Sequence, residues 1–147
     1  MLSNTCKYAI RALIYLAKHS GPNQKIGIKQ ITEEISVPAP FLSKILQNLA
    51  RHDILASVKG PHGGFSLGRK PEDISLYDII IDVDGESYFC SCIVRLDTCK
   101  CFDDEVPCCP MHKRFGSQRT ELINFYKSTT LADIILDFDE SGEDIKF

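Results

Sequence analysis

From Thr5 to His19 the apolar residues Cys6, Ala9, Ile10, Leu13, Ile14 and Ala17 recur at the spacing of one helix face. Ser3 or Asn4 is a candidate N-cap, and Gly21-Pro22 is a stop. Ile28, Ile31 and Ile35 predict a second, two-turn helix, which Ser36-Val37-Pro38 breaks. A third helix from Pro38 to Arg51 is expected to bury Phe41, Leu42, Ile45, Leu46 and Leu49. Ser43, Lys44, Gln47, Asn48 and Arg51 then fall on its other faces. Ile54 to Lys59 and Phe65 to Arg69 read as short strands around the turn Gly60-Pro61-His62-Gly63-Gly64.

Two short helices across a tight break outline a helix-turn-helix, and the hairpin that follows reads as a wing. Beyond Pro71, Ser75 and Asp78 form a candidate capping box for a helix from Leu76 to about Val83, which Gly85 ends. Residues 86–109 hold six of the seven cysteines with little apolar periodicity and read as a loop. Pro110 can start a long helix of about four turns. Its Met111, Phe115, Leu122, Phe125 and Tyr126 form a stripe that reads as a dimer seam. Thr130 and Asp133 cap a short final helix, Leu131 to Leu136, and an acidic tail over residues 137–147 is expected to fray.

The expected fold is mainly α with a small β-hairpin. A winged helix-turn-helix spans residues 1–84, a cysteine-rich loop 85–109, and a dimerisation helix with a short capping helix 110–136. The tail completes the chain. At 147 residues with 44% hydrophobic and 25% charged residues, the chain has the composition of an ordinary globular protein. No apolar run approaches the roughly 20 residues of a membrane span, and residues 1–18 lack the pattern of a signal peptide. A cytoplasmic protein without membrane contact is expected.

The net charge of −3 conceals a division. Residues 1–70 carry ten Lys/Arg against three Asp/Glu, a net of +7, and the remainder carries seven against seventeen, a net of −10. A basic half bearing a helix-turn-helix points to double-stranded DNA. Pro40, Ser43, Lys44, Gln47 and Asn48 are the candidates for base contact: Gln and Asn suit adenine, and Lys suits guanine or phosphate. Lys29, Arg51 and Lys59 are candidates for phosphate. At the wing tip, Gly60, Gly63 and Gly64 allow close approach to a backbone, and His62 between them can probe a minor groove.

Cys90, Cys92, Cys99, Cys101, Cys108 and Cys109 fall as three pairs about nine residues apart, and His112 follows. In a reducing compartment such crowding points to metal or redox chemistry, because thiolates select zinc, copper(I) or iron–sulfur clusters. Cys109 and His112 lie one helical turn apart. Cys6, at an apolar position of the first helix, reads as a small buried hydrophobe.

Four segments resemble the Rrf-two family of bacterial transcription regulators. They are Lys7-Tyr8-Ala9-Ile10-Arg11-Ala12-Leu13, Lys59-Gly60-Pro61-His62-Gly63-Gly64-Phe65-Ser66-Leu67, Ile74-Ser75-Leu76-Tyr77-Asp78-Ile79 and Ser128-Thr129-Thr130-Leu131-Ala132-Asp133. The family includes regulators of iron–sulfur assembly, nitric-oxide sensing and cysteine metabolism. The resemblance implies a homodimer on a palindromic operator, with the dimerisation helix following a cysteine-bearing loop. It further implies an iron–sulfur cluster, two-iron two-sulfur by preference; zinc in a tetrahedral Cys/His site fits the same donor chemistry and is the alternative metal. Cys109-Pro110-Met111-His112 matches the family's Cys-Pro-x-His segment, and by position Cys92 and Cys101 are chosen for its other two ligands, their pair neighbours being near-equivalent. Cys90, Cys99 and Cys108 are the alternates. Lys7 stands where some members place an acidic ligand, which leaves His112 as the fourth candidate. Lys59 stands where many members have arginine, so charge is retained without the bidentate fork.

No Cys-x-x-Cys follows a strand, and no nucleophile–base pair or phosphate loop stands out, so an enzyme is not expected. The expected function is a dimeric DNA-binding regulator, a repressor sensing redox, iron–sulfur status or nitric oxide. The alternatives are a zinc-stabilised or thiol-switch regulator and a winged-helix module that binds protein instead of DNA.

Overall fold

The computed structural model describes residues 2–21, 24–60, 63–91 and 110–142. Helix α1 (Asn4–His19) is the hub. Ser3 caps it, its hydroxyl accepting from the Cys6 amide at 3.0 Å. From Ala12 to Leu16 five consecutive residues are buried, because neighbours cover α1 on more than one side. These neighbours include α2 (Ile28–Ile35), α3 (Ala39–Arg51) and α4 (Leu76–Asp84). Leu13, Leu16, Ile31, Ile35, Leu42, Leu46 and Leu49 meet in the core. Truncating one such leucine to alanine costs about 2–5 kcal/mol.

Strands β1 (Leu55–Val58) and β2 (Gly64–Leu67) form an antiparallel hairpin in the register Leu55↔Leu67 to Val58↔Gly64. It is shorter at both outer ends than the pattern predicts. The Gly68 amide bonds to the Ile54 carbonyl at 3.0 Å, and Ile54 itself bonds back to Leu49, so the hairpin's base is closed onto α3. Ile26 exchanges both backbone hydrogen bonds with Phe65 at 2.9 Å, which fixes the wing to the segment before α2.

Helix α5 (Ser87–Cys90) is a single turn inside the stretch expected to be loop. Its Phe89 is buried and stacks on Tyr77, with ring centroids 5.2 Å apart. Helix α6 (Pro110–Ser128) has 19 residues, closer to five turns than four. Helix α7 (Leu131–Ser141) runs past the expected end at Leu136. Ile134 and Ile135 pack on the core, Lys18 of α1 pairs with Asp139 at 2.5 Å, and Gly142 closes the helix in a left-handed conformation. These contacts order residues assigned to a frayed tail.

Both expected capping boxes form, at Ser75/Asp78 and Thr130/Asp133. They lie side by side. The Leu76 amide bonds to Thr129 and the Leu131 amide to Ile74, at 2.9 and 2.8 Å, so α4 and α7 begin from one antiparallel bridge. The observed architecture is mainly helical with one two-stranded hairpin, in the order helix, helix, helix, wing.

Candidate nucleic-acid interface

Ser36 ends α2 in the left-handed region, at φ 54°, and Val37 is buried behind it. Pro38 then caps α3, whose proline at the second helical position lacks the amide that would have no partner there. This turn aims one face of α3 outward. Pro40, Lys44, Gln47 and Arg51 are exposed on it, and Ser43 is half-buried between them. The Gln47 amide donates to the Ser43 hydroxyl at 3.2 Å, so the two polar groups sit one turn apart on the same stripe. Lys29, in the first turn of α2, is also exposed.

Asn48 stands apart from its neighbours. Its amide donates to the Asp82 carbonyl at 2.8 Å and to the Asp82 carboxylate at 3.1 Å, which commits that group to α4. Asp82 has only 4% of its side chain exposed and also receives His52. A carboxylate inside the apolar run Ile79 to Val83 is a readable sign of such a buried tie, though sequence reasoning did not use it. Phe41 departs from its expected place in the core: it is 41% exposed. It lies on the flank of α3, where Tyr8 covers one edge in a T-shaped contact at 6.0 Å.

At the wing, Val58 and Lys59 are exposed. Gly60 has φ +118°, and its carbonyl accepts from the Gly63 amide at 2.9 Å. A Cβ on Gly63 would lie 2.1 Å from the Val58 carbonyl oxygen. The glycine is therefore required by the turn itself, whatever approaches it. His62 lies outside the described residues.

Cys92, Cys99, Cys101, Cys108 and Cys109 lie outside the described residues, as does the His112 side chain. Cys90 is half-buried at the end of α5. Among the described residues no group of three or more metal-binding side chains comes together. Cys6 is fully buried, and desolvation, with the Asp84 carboxylate adding, pushes its thiol up to about 12. It stays protonated and acts as a packing residue.

The α6 stripe divides. Met111, Phe115, Leu122 and Phe125 are 37 to 55% exposed, and with Gln118 they follow intervals of four, three, four and three residues. That spacing is heptad-like, and among the described residues these four apolar side chains stay largely open to solvent. Tyr126, expected on the seam, turns inward to Phe89 at 5.9 Å. Arg119 was not foreseen. It is buried, lies over the Phe115 ring at 5.5 Å, and donates to the Ser91 carbonyl at 3.0 Å. Arginine on an amphipathic helix gives no signal of such a role in the sequence.

Among the described residues no helix is long and apolar enough to cross a membrane. Residues 2–137 match the Rrf2 family, described as iron-dependent transcriptional regulators. The chain is 34% identical over 136 residues to a protein of Aquifex aeolicus named as an HTH-type transcriptional regulator, covering 92% of this chain and 91% of that one. It is 28% identical over 134 residues to the transcriptional regulator IscR of Sodalis glossinidius, covering 91% and 78%. The solved structure of T. potens IscR superposes with a TM-score of 0.72 at 25% identity, covering 98% of this chain and 92% of that one. The members of this family are transcriptional regulators, not enzymes. With its winged helix-turn-helix and a match over nearly its whole length, this chain belongs to the Rrf2 (Rrf-two) family of DNA-binding transcriptional regulators.

Proposed function

We propose that the protein is a homodimeric repressor working in the cytoplasm, and that a cysteine-ligated iron–sulfur cluster tunes its grip on a palindromic operator. The observation that carries the reading is the pairing of two exposed surfaces: the polar stripe of α3 beside the wing, and the heptad-spaced apolar face of α6. Ser43, Lys44 and Gln47 read base edges in the major groove, with Pro40 against them. Lys29, Arg51 and Lys59 meet phosphates and fix the register. His62 and Gly63 bring the wing tip to the minor groove. Asn48 serves this face by holding α3 to α4.

The donor set fits a soft metal centre: six thiols and one imidazole lie within residues 90–112. Cys92, Cys101, Cys109 and His112 would hold it. A bound cluster would supply redox-responsive and nitric-oxide-responsive iron. Arg119, gripping Ser91 one residue before Cys92, links that segment to the face of α6.

Anaerobically purified protein should show visible absorption and contain iron, and its affinity for a selected operator should change when the iron is removed. Half-sites about one DNA turn apart are expected. Affinity should fall steeply with salt, with a log–log slope near −0.9 per phosphate contacted. Zinc in place of iron would remove the cluster from the account and leave the DNA-binding reading standing. Salt-insensitive binding, or none to any genomic fragment, would remove both.

A further inference from the structure

A cleft of about 630 Å³ lies between the end of α1, strand β2 and the turn at Pro71–Asp73. It shares no residue with α3 or with the wing turn. Three cations line it, Lys25, Arg69 and Lys70, against one carboxylate, Asp73. A substantial part of the positive charge of the first half is gathered here and not on the recognition helix.

The cations are poorly neutralised. Lys25 donates to the hydroxyl of Ser66, a neutral group that is itself 4% exposed, at 2.5 Å. Arg69 reaches the Asp73 carbonyl at 3.4 Å and the Asp78 carboxylate only at 3.8 Å, and Asp78 is already engaged in the capping box of α4. Among the described residues the buried Arg69 Nε has no hydrogen-bond partner. The rest of the guanidinium, with the two flanking lysines, offers charge-assisted donors to an oxyanion entering the cleft. Ala17, Leu67 and Pro71 add an apolar wall, and the volume is that of a small-molecule site.

We infer that this cleft binds a small multivalent oxyanion with an organic body, a phosphate ester or a polycarboxylate, held by Lys25, Arg69 and Lys70. The site stands whether or not the cysteine segment carries a metal.

The full-length protein can be titrated at constant ionic strength with inorganic phosphate, and separately with citrate, while backbone amide resonances are followed. Saturable shifts centred on Lys25, Ser66, Arg69 and Lys70 are expected for at least one anion. Saturation by phosphate alone assigns a phosphate ester, and by citrate alone a polycarboxylate. Arg69→Gln and Lys70→Gln should each weaken the response at least tenfold. Lys70 is exposed, so its variant keeps the test decisive if Arg69→Gln fails to fold. No saturable shift with either anion, shifts centred instead on α3 and the wing, or unchanged binding in Lys70→Gln would overturn the assignment. A uniform loss of DNA affinity in Lys70→Gln without anion binding would mark the cleft as a DNA-backbone contact and overturn it too.

Discussion

Asn48 of α3 is tied to Asp82 of α4 twice, through the main-chain carbonyl and through the carboxylate. The carboxylate also receives His52, so both the middle and the end of α3 are referenced to one buried group. The orientation of the exposed stripe of α3 thus depends on a residue of α4. Hydrogen bonds to a charged group contribute about 1.5–3 kcal/mol each. Asp82→Ala should lower unfolding stability by about 2–3 kcal/mol in a urea titration, and Asp82→Asn by less. A change below about 0.5 kcal/mol in Asp82→Ala would contradict the tie.

Gly63→Ala should damage the wing and spare the core. The added Cβ meets backbone at 2.1 Å, which no rotamer change can relieve. Far-ultraviolet dichroism should be nearly unchanged while operator affinity drops by an order of magnitude or more, read by fluorescence anisotropy. Wild-type affinity would show that the turn tolerates a side chain.

Phe125 is 55% exposed, its ring touching only the edge of the core through Tyr126 among the described residues, so Phe125→Lys should fold. On the proposed seam it places a charge opposite its symmetry mate. Light scattering should report a monomer, and operator affinity should fall by more than about tenfold as one half-site is lost. A dimer of unchanged affinity would move the interface elsewhere.

The cap of α7 gives a pH dependence. Hydrogen bonds from the Thr130 backbone and then its side chain lower the Asp133 carboxyl below its usual value. A group depressed on folding contributes stability above its unfolded value near 4 and loses it as pH falls through the folded one. The stability difference between wild type and Asp133→Asn should therefore be full at neutral pH and shrink below pH 4. A difference that grows with acid would reverse the assignment.

Much of this architecture was legible because its signals were local. Heptad-like spacing, two capping boxes and a glycine-rich turn each fix structure within a few residues. What escaped depended on distant neighbours. Phe41 sits at the border of the apolar stripe, and only the position of Tyr8 decides that one edge stays open. Tyr126 shares the seam's periodicity but is claimed by Phe89 on a helix too short to predict. The end of α7 is set by Lys18, 121 residues before its partner Asp139. Asn48 had the polar character of a base reader, and a buried carboxylate 34 residues later engages its amide. The cleft at Lys25 and Arg69 is assembled from three separate segments and has no linear motif at all.

The paired backbone bonds at Ile74–Leu76 and Thr129–Leu131 pin the C-terminal end of α6 to the foot of α4. From that pin the 19-residue helix reaches about 27 Å to its Pro110 end, with Arg119 held to Ser91 on the way. Each degree of tilt about that pin carries the Pro110 end through about 0.5 Å, at the junction with the thiol-rich stretch. Small atomic rearrangements beside Pro110 are in this way geared down to minute rotations at the pivot, and small rotations there are magnified along the shaft.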